Sequence, residues 1–132
     1  MNYATIVPDL FSRFPRLEAI YHAEFAYMGD EESGPYIVFG SILLPALSTA
    51  LETGDLGTIL RICAFLEDVA TAAHRDNGLA ALMKVEVAEW LGWAKNEERL
   101  APLLGSKTKH ICNYVPGLAT QRLQLRSEKK AR

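Results

Sequence analysis

The chain has 132 residues, of which 49% are hydrophobic and 23% are charged. This length fits one domain with a core of its own, and the composition excludes disordered, collagen-like and disulfide-rich proteins. The net charge is −2, but residues 1–100 carry 15 acidic and 7 basic side chains, whereas residues 101–132 carry 1 acidic and 7 basic.

The N-terminal quarter of the chain predicts two short helices and a loop. A first helix is predicted to end at Arg13, and a second begins at Pro15, where the missing N–H of proline does no harm. The segment from Gly29 to Pro35 contains glycines and an acidic run, which is typical of a loop. No run of five or more residues alternates between apolar and polar as a strand does.

The middle of the chain predicts two long core helices. The segment from Tyr36 to Glu52 is apolar on most faces and should be the most buried helix, with a kink at Pro45. The next helix, Leu56 to His74, carries the clearest apolar stripe in the chain. That stripe consists of Ile59, Ile62, Cys63, Leu66, Val69, Ala70 and Ala73.

A further long helix is predicted from Leu79 to Ala94, and its apolar stripe includes one charged residue, Glu86. Two interpretations stay open. In the first, Val85 shares the inward face of the helix, and Glu86 lies at the edge of that face, paired with Lys84 or another helix. In the second, Glu86 stands at the lip of a groove and meets a cationic group of a partner, because a buried unpaired carboxylate is costly.

The last third of the chain predicts two more helices. Asn96 can cap a short helix that ends near Gly105. A last helix begins near Lys107 and is broken or kinked at Pro116 and Gly117.

These segments predict an all-α fold, a compact antiparallel helical domain of about six helices. The short turns between them favour antiparallel neighbours. HEAT-like helix pairs are possible, although the sequence shows no fixed repeat period. We expect a single helical domain over residues 1–120, followed by a basic C-terminal tail over residues 121–132.

No motif in the sequence predicts catalysis, a metal or a cofactor. The three histidines are far apart, and the pair Glu86 and Glu89 lacks the histidine that di-iron bundles place beside such carboxylates. Cys112 and His110 are two positions apart and do not face each other on a helix. No glycine-rich phosphate loop occurs. We therefore expect a non-enzymatic protein with no catalytic residues, no metal and no cofactor.

The cysteines and the apolar segments indicate a cytoplasmic protein. Cys63 has apolar neighbours and should be a free, buried thiol, and Cys112 should also be free. The first residues lack the pattern of a secretory signal. The longest apolar stretch, Ile37 to Leu47, is shorter than the ~20 residues of a membrane-spanning helix. We expect no membrane association.

Acidic side chains are the predicted partner-binding residues. An acidic body binds nucleic acid poorly but suits a basic protein partner, so we expect no nucleic-acid partner. The alternative is that these acids are simply solvated. The predicted surface consists of Asp30, Glu31, Glu32, Glu67, Asp68, Glu86 and Glu89.

Exposed apolar residues such as Tyr27, Tyr36 and Trp93 are the next candidates for an interface if the acids do not bind. The basic end, Arg122 to Arg132, has no interleaved aromatic residues and is interpreted as a solvated helix, with a nucleic-acid or membrane role of this tail as the alternative.

Three stretches resemble the small helical bacterial immunity-type proteins that are encoded beside polymorphic toxins. The first, Leu10 to Leu17, is similar to an "LxxxFPxL" opening. The second, Leu51 to Leu56 followed by Ile62 to Glu67, is similar to "gD…I..F.E", and the third, Val85 to Leu91, is similar to "V.V.E.L". The resemblance covers residues 8–105. It implies a cytoplasmic protein that binds and neutralises one toxin domain, without shared catalytic residues.

The function expected from the sequence is therefore inhibition of a cognate bacterial toxin domain through an acidic surface. The alternative is a helical adaptor or homodimerising structural module that binds another protein. A small-molecule-binding regulator or an enzyme without a recognisable motif stays open as well. The chemistry of the toxin and the oligomeric state are not determined by the sequence.

Overall fold

The computed structural model describes residues 1–25 and 34–131. The fold is 80% helical, and the described residues contain no strand, which confirms the all-α prediction. Eight helices are present in this part of the chain, slightly more than the six or so expected. They are α1 (Ile6–Arg13), α2 (Pro15–Phe25), α3 (Pro35–Thr53), α4 (Leu56–Ala73), α5 (residues 77–91), α6 (Glu97–Leu100), α7 (Ser106–Ile111) and α8 (Leu118–Ala131).

The predicted last helix is in fact two helices, α7 and α8, separated by a turn. Asn113 and Gly117 both adopt positive φ angles, 51° and 80°. A right-handed helix cannot continue through such residues, so α7 ends before Asn113 and α8 begins after Gly117.

Helix α3 lies at the centre of the core, as its apolar composition predicts. The side chains of Val38, Phe39, Leu43 and Leu47 are completely buried. By length and composition alone α3 is also long and apolar enough to cross a membrane. A buried core helix passes the same test.

The predicted kink at Pro45 takes the form of a π-helical turn immediately before it. Over Phe39–Leu43 the helix widens, and the N–H of Leu44 donates to the carbonyl of Phe39. A proline ring crowds the preceding turn of a regular α-helix, and the wider turn relieves this crowding. Pro45 then lies in the first turn of the α-helical segment Leu44–Thr53, where its missing N–H is harmless.

Helix α4 packs beside α3 and buries the whole predicted stripe, including Cys63. Its first turn is capped by the Asp55 carboxylate, which accepts from the N–H of Thr58 at 3.2 Å. Hydrogen bonds from the side chain and the backbone of Thr58 hold the pKa of Asp55 below its ordinary value.

Helix α5 contains a second π-helical turn, over Met83–Val87, which contacts the π-helical turn of α3. The extra residue in this turn decides which side chains of α5 point inward. Val85 is 54% exposed and Glu86 is partly buried, so the expectation that Val85 shares the inward face is wrong. The rest of the predicted inward set is buried at Leu79, Leu82, Met83, Val87 and Leu91, and Trp90 is partly buried.

Helix α8 begins against the rest of the domain and then projects from it. Ala119 is 1% exposed, and Arg122 and Leu123 are partly buried, whereas residues 124–130 are all exposed. The boundary predicted between residues 120 and 121 falls inside this helix. Because an isolated short helix is marginal in water, the packing of its first turns supports the projecting part.

Candidate functional site

Glu67, one of the acids predicted to bind a partner, is bonded to α7 instead. Its carboxylate accepts hydrogen bonds from the N–H of Lys107 at 3.2 Å, from the N–H of Thr108 at 2.8 Å and from the Thr108 hydroxyl at 3.0 Å. The residue before α7 is Gly105, which has no side chain to cap these N–H groups. Glu67 supplies the missing cap from α4, and its predicted role in binding a partner stays a prediction.

Gly105 also makes room for this cap. A Cβ atom on Gly105 would overlap the carboxylate of Glu67. The close approach of α4 to the start of α7 therefore depends on a residue without a side chain.

The other three described acids of the predicted surface, Asp68, Glu86 and Glu89, each have different neighbours. Asp68 forms an ion pair of 2.6 Å with Arg13 of α1. Glu86 lies over Gly40 of α3, where an added Cβ would be 2.8 Å from Glu86 Oε2. Glu89 is exposed on α5. Each of these acids therefore has its own local surroundings, and a shared acidic surface stays a prediction.

Glu86 contacts another helix, and its role toward a partner stays a prediction. Its carboxylate packs on the backbone of α3 at Gly40, and no ion pair with Lys84 forms within the described part of the chain. Three further predicted acids, Asp30, Glu31 and Glu32, lie outside the described residues, so their role stays a prediction.

Glu97 is a second acid with a structural role, and sequence reasoning missed it. It is 1% exposed, and its carboxylate accepts from the Tyr114 hydroxyl at 2.9 Å and from the N–H of Thr120 at 3.0 Å. Thr120 lies in the first turn of α8. This helix follows Gly117, so, like α7, it has no side chain directly before it that could cap its first N–H groups. The signal in the sequence is Gly117 directly before the helix, at a position where Ser, Thr, Asp or Asn usually caps the first N–H groups. Without such a side chain, the cap must come from another part of the chain.

The hydrogen bonds of Glu97 also affect its ionisation. Burial raises its pKa, but the bonds from Thr120 and Tyr114 outweigh burial, and the pKa of Glu97 is lowered overall. Burial and the same carboxylate raise the pKa of Tyr114 to about 12. Glu97 is therefore a buried anion that holds the beginning of α8 in place.

The open face of α8 forms a groove with Trp93. This tryptophan lies in the turn after α5 and is 40% exposed. The guanidinium carbons of Arg122 and Arg126 lie 5.4 Å and 5.8 Å from the centre of its ring, within the range of cation–π attraction. The groove has a volume of about 620 Å³ and is lined by Trp93, Arg122, Leu125, Arg126, Glu128 and Lys129.

Helical spacing places the three cations of this groove on one face of α8. Arg122, Arg126 and Lys129 stand at positions i, i+4 and i+7. Arg122 also donates to the carbonyl of Gly92 at 3.3 Å, and a Cβ on Gly92 would be 2.7 Å from the Arg122 Nη1 atom. Glu128 is the one carboxylate among the residues that line the groove, so the groove is basic.

The groove gives the basic tail an aromatic neighbour that its own sequence lacks. The tertiary structure brings Trp93 beside Arg122 and Arg126. Of the other apolar candidates, Tyr36 is partly buried, and Tyr27 lies outside the described residues.

The two cysteines are free and buried, which confirms the prediction for both. Burial raises the pKa of Cys63 to about 11 and that of Cys112 to about 12. Thiolate, the nucleophilic form, is therefore scarce at neutral pH. Among the described residues, no group of three or more His, Cys, Asp or Glu is placed to hold a metal ion.

Comparisons with protein-family models, with curated proteins and with solved structures found no match. The resemblance to immunity-type proteins, and the function that it implies, therefore stay predictions.

Proposed function

We propose that this chain is a non-enzymatic binding protein of the immunity type, which neutralises a toxin domain by docking it in the groove between Trp93 and α8. The observation that supports this proposal most is the exposed Trp93 flanked by two arginines. Tryptophan and arginine are enriched among the few residues that carry most of the binding energy at protein interfaces. Here both residue types are exposed on one surface.

The groove takes the place of the acidic surface expected from the sequence. The carboxylate of Glu67 is used inside the fold, and that of Asp68 is paired with Arg13. The cations at Arg126 and Lys129, by contrast, are exposed and can meet a partner. Charge steering would then come from the positive end of the chain.

The first test is affinity capture from cells of the source organism with three forms of the protein. These are the parent, Trp93→Ala and the control Arg75→Glu, which changes an exposed cation outside the groove. We expect a partner that the parent and Arg75→Glu retain and that Trp93→Ala loses. Equal recovery of every partner by Trp93→Ala would contradict docking in the groove.

The second test separates an immunity protein from a helical adaptor. The captured partner is expressed in bacteria alone, with the parent chain and with Trp93→Ala. Growth arrest that the parent relieves and Trp93→Ala does not relieve supports toxin neutralisation. A partner that is harmless when expressed alone supports the adaptor function instead.

A further inference from the structure

We infer that the segment that fills the groove is an acidic stretch of protein with an apolar side chain among its carboxylates. This inference rests on the proposed binding function and names the chemistry of the partner. The carboxylates would meet Arg126 and Lys129, and the apolar side chain would pack on Trp93 and Leu125.

The charges of the groove favour an anionic partner. Arg122, Arg126 and Lys129 line it, and Glu128 balances one of the three cations. The planar guanidinium of arginine pairs well with a carboxylate because both can form two parallel hydrogen bonds. Arg126 and Lys129 are exposed, so a partner can reach them without displacing the core.

The charge of the rest of the chain favours a short acidic segment over a nucleic acid. Residues 1–100 carry 15 acidic and 7 basic side chains, which repel a long polyanion as it approaches. A segment confined to the groove gains the attraction of the three cations and stays away from most of that negative charge.

The apolar part of the groove favours a protein over a membrane surface. Leu125 is 55% exposed and Trp93 is 40% exposed, so each offers area for one apolar side chain. A helix that lies in a membrane interface needs a wide apolar face. Among the other leucines of α8, Leu118 and Leu123 are already partly buried against the domain.

The spacing of the cations sets the spacing of the partner's acids. From Arg122 to Lys129 the helix rises about 10 Å, at roughly 1.5 Å per residue. A helical segment with glutamates at i, i+4 and i+7 spans the same distance. Residues 124–130 of α8 are exposed, so this part of the helix opens readily and its amides exchange with solvent. A segment bound in the groove would stabilise this part of the helix and slow the exchange.

The test uses two fluorescein-labelled helical peptides that differ only in their acids. One carries Glu at i, i+4 and i+7 with Leu between them, and the other carries Gln at the same positions. Fluorescence anisotropy with the full chain should show about tenfold weaker binding of the Gln peptide, with the gap shrinking as salt is added. Equal binding of the two peptides would overturn the inference.

Protein variants locate the binding of the Glu peptide. Arg126→Glu and Lys129→Glu should each weaken it about tenfold, whereas the control Arg75→Glu should stay within about twofold of the parent. Lys129 lies on the projecting part of α8, so its reversal leaves the packed domain unchanged. Hydrogen exchange of residues 124–130 should slow when the Glu peptide is added, and unchanged exchange there would overturn the assignment to this groove.

Three other occupants are outcomes of the same experiment. A single-stranded oligothymidylate, or vesicles rich in phosphatidylserine, that bind the parent more tightly than the Glu peptide would overturn the inference in favour of nucleic acid or membrane. Concentration-dependent self-association that Lys129→Glu abolishes, measured by sedimentation velocity, would overturn it in favour of a second copy.

The two proposals fail separately. If Trp93→Ala loses the captured partner but the Glu and Gln peptides bind alike, the binding function stands and the acidic chemistry is wrong. If the Glu peptide binds as expected but no captured partner depends on Trp93, the chemistry of the groove stands and the proposed function is wrong.

Discussion

Glu67 on α4 and Thr108 on α7 are joined by two hydrogen bonds, from the N–H at 2.8 Å and from the hydroxyl at 3.0 Å. Thr108 is completely buried, so these bonds satisfy polar groups that water cannot reach. Asp68, the next residue, is half exposed and pairs with Arg13 at the surface. Two adjacent acids therefore have different roles, and this makes them a matched pair for mutagenesis.

Charge reversal should separate the two acids by their effect on stability. Glu67→Lys removes the cap of α7 and places a cation at a helix N-terminus, so we expect the free energy of unfolding to fall by about 2–4 kcal/mol. Asp68→Lys breaks only an exposed ion pair and should cost less than about 1 kcal/mol. Urea unfolding of both variants measures the difference, and equal losses would show that Glu67 does not act as a cap.

Gly105 and Glu67 should be energetically coupled. In Gly105→Ala the new Cβ displaces the carboxylate, so the variant should lose about 1–2 kcal/mol. Once Glu67→Gln has weakened the cap, the same glycine change should cost less. A double-mutant cycle by urea unfolding measures this coupling, and strictly additive losses would contradict it.

Glu97 should contribute to the acid sensitivity of the fold. Its pKa is lower in the folded protein than the ordinary value of 4.5, so the folded state binds this proton only at lower pH than the unfolded state does. The stabilisation is therefore complete well above pH 4.5 and is lost as the pH falls through the folded-state pKa. At pH 7, Glu97→Gln should reduce the free energy of unfolding by about 1–3 kcal/mol.

The difference between Glu97→Gln and the parent should shrink as the pH falls below 4.5, because the parent then gradually loses the carboxylate that makes these hydrogen bonds. Urea midpoints at pH 7 and pH 3 measure it, and Glu52→Gln is the control because Glu52 is exposed on α3, away from Thr120 and Tyr114. The pKa of Asp76 is also lowered, by hydrogen bonds from Leu79 and Tyr3, but this effect is common to all the variants and cancels. A difference that stays constant with pH would contradict the assignment to Glu97.

The central position of α3 predicts a large cost for truncating its core residues. Leu43→Ala and Leu47→Ala each remove a completely buried side chain and should destabilise the protein by about 2–5 kcal/mol. Leu125→Ala, on the exposed face of α8, is the control and should cost less than about 1 kcal/mol. Chemical unfolding of the three variants checks the placement of the core.

Both thiols should be protected in the native protein. Burial raises the pKa of Cys63 to about 11 and that of Cys112 to about 12, and alkylating reagents react with the thiolate. Mass spectrometry should find little alkylation of the folded protein at pH 7 and two modified cysteines after denaturation. Rapid modification of the native protein would show that a thiol is accessible.

The sequence by itself determined the helices and most of the core. The stripe of α4 from Ile59 to Ala73 is buried as its spacing predicts, because helical periodicity reports which residues share a face. The turns at Gly54 and Pro15 also match, since each depends on local backbone preferences. These features need only neighbours along the chain, so they can be inferred without knowing how the helices pack.

Only the tertiary structure decided what the charged side chains do. Glu67 and Glu97 look like ordinary helix-surface acids in the sequence, and each caps the start of a different helix. Trp93 and the arginines of α8 become a groove only because α8 packs back beside the turn after α5. Apolar periodicity shows which face of a helix is buried but not which helix it meets. The partners of an acid or a cation across that contact are therefore set by the three-dimensional packing alone.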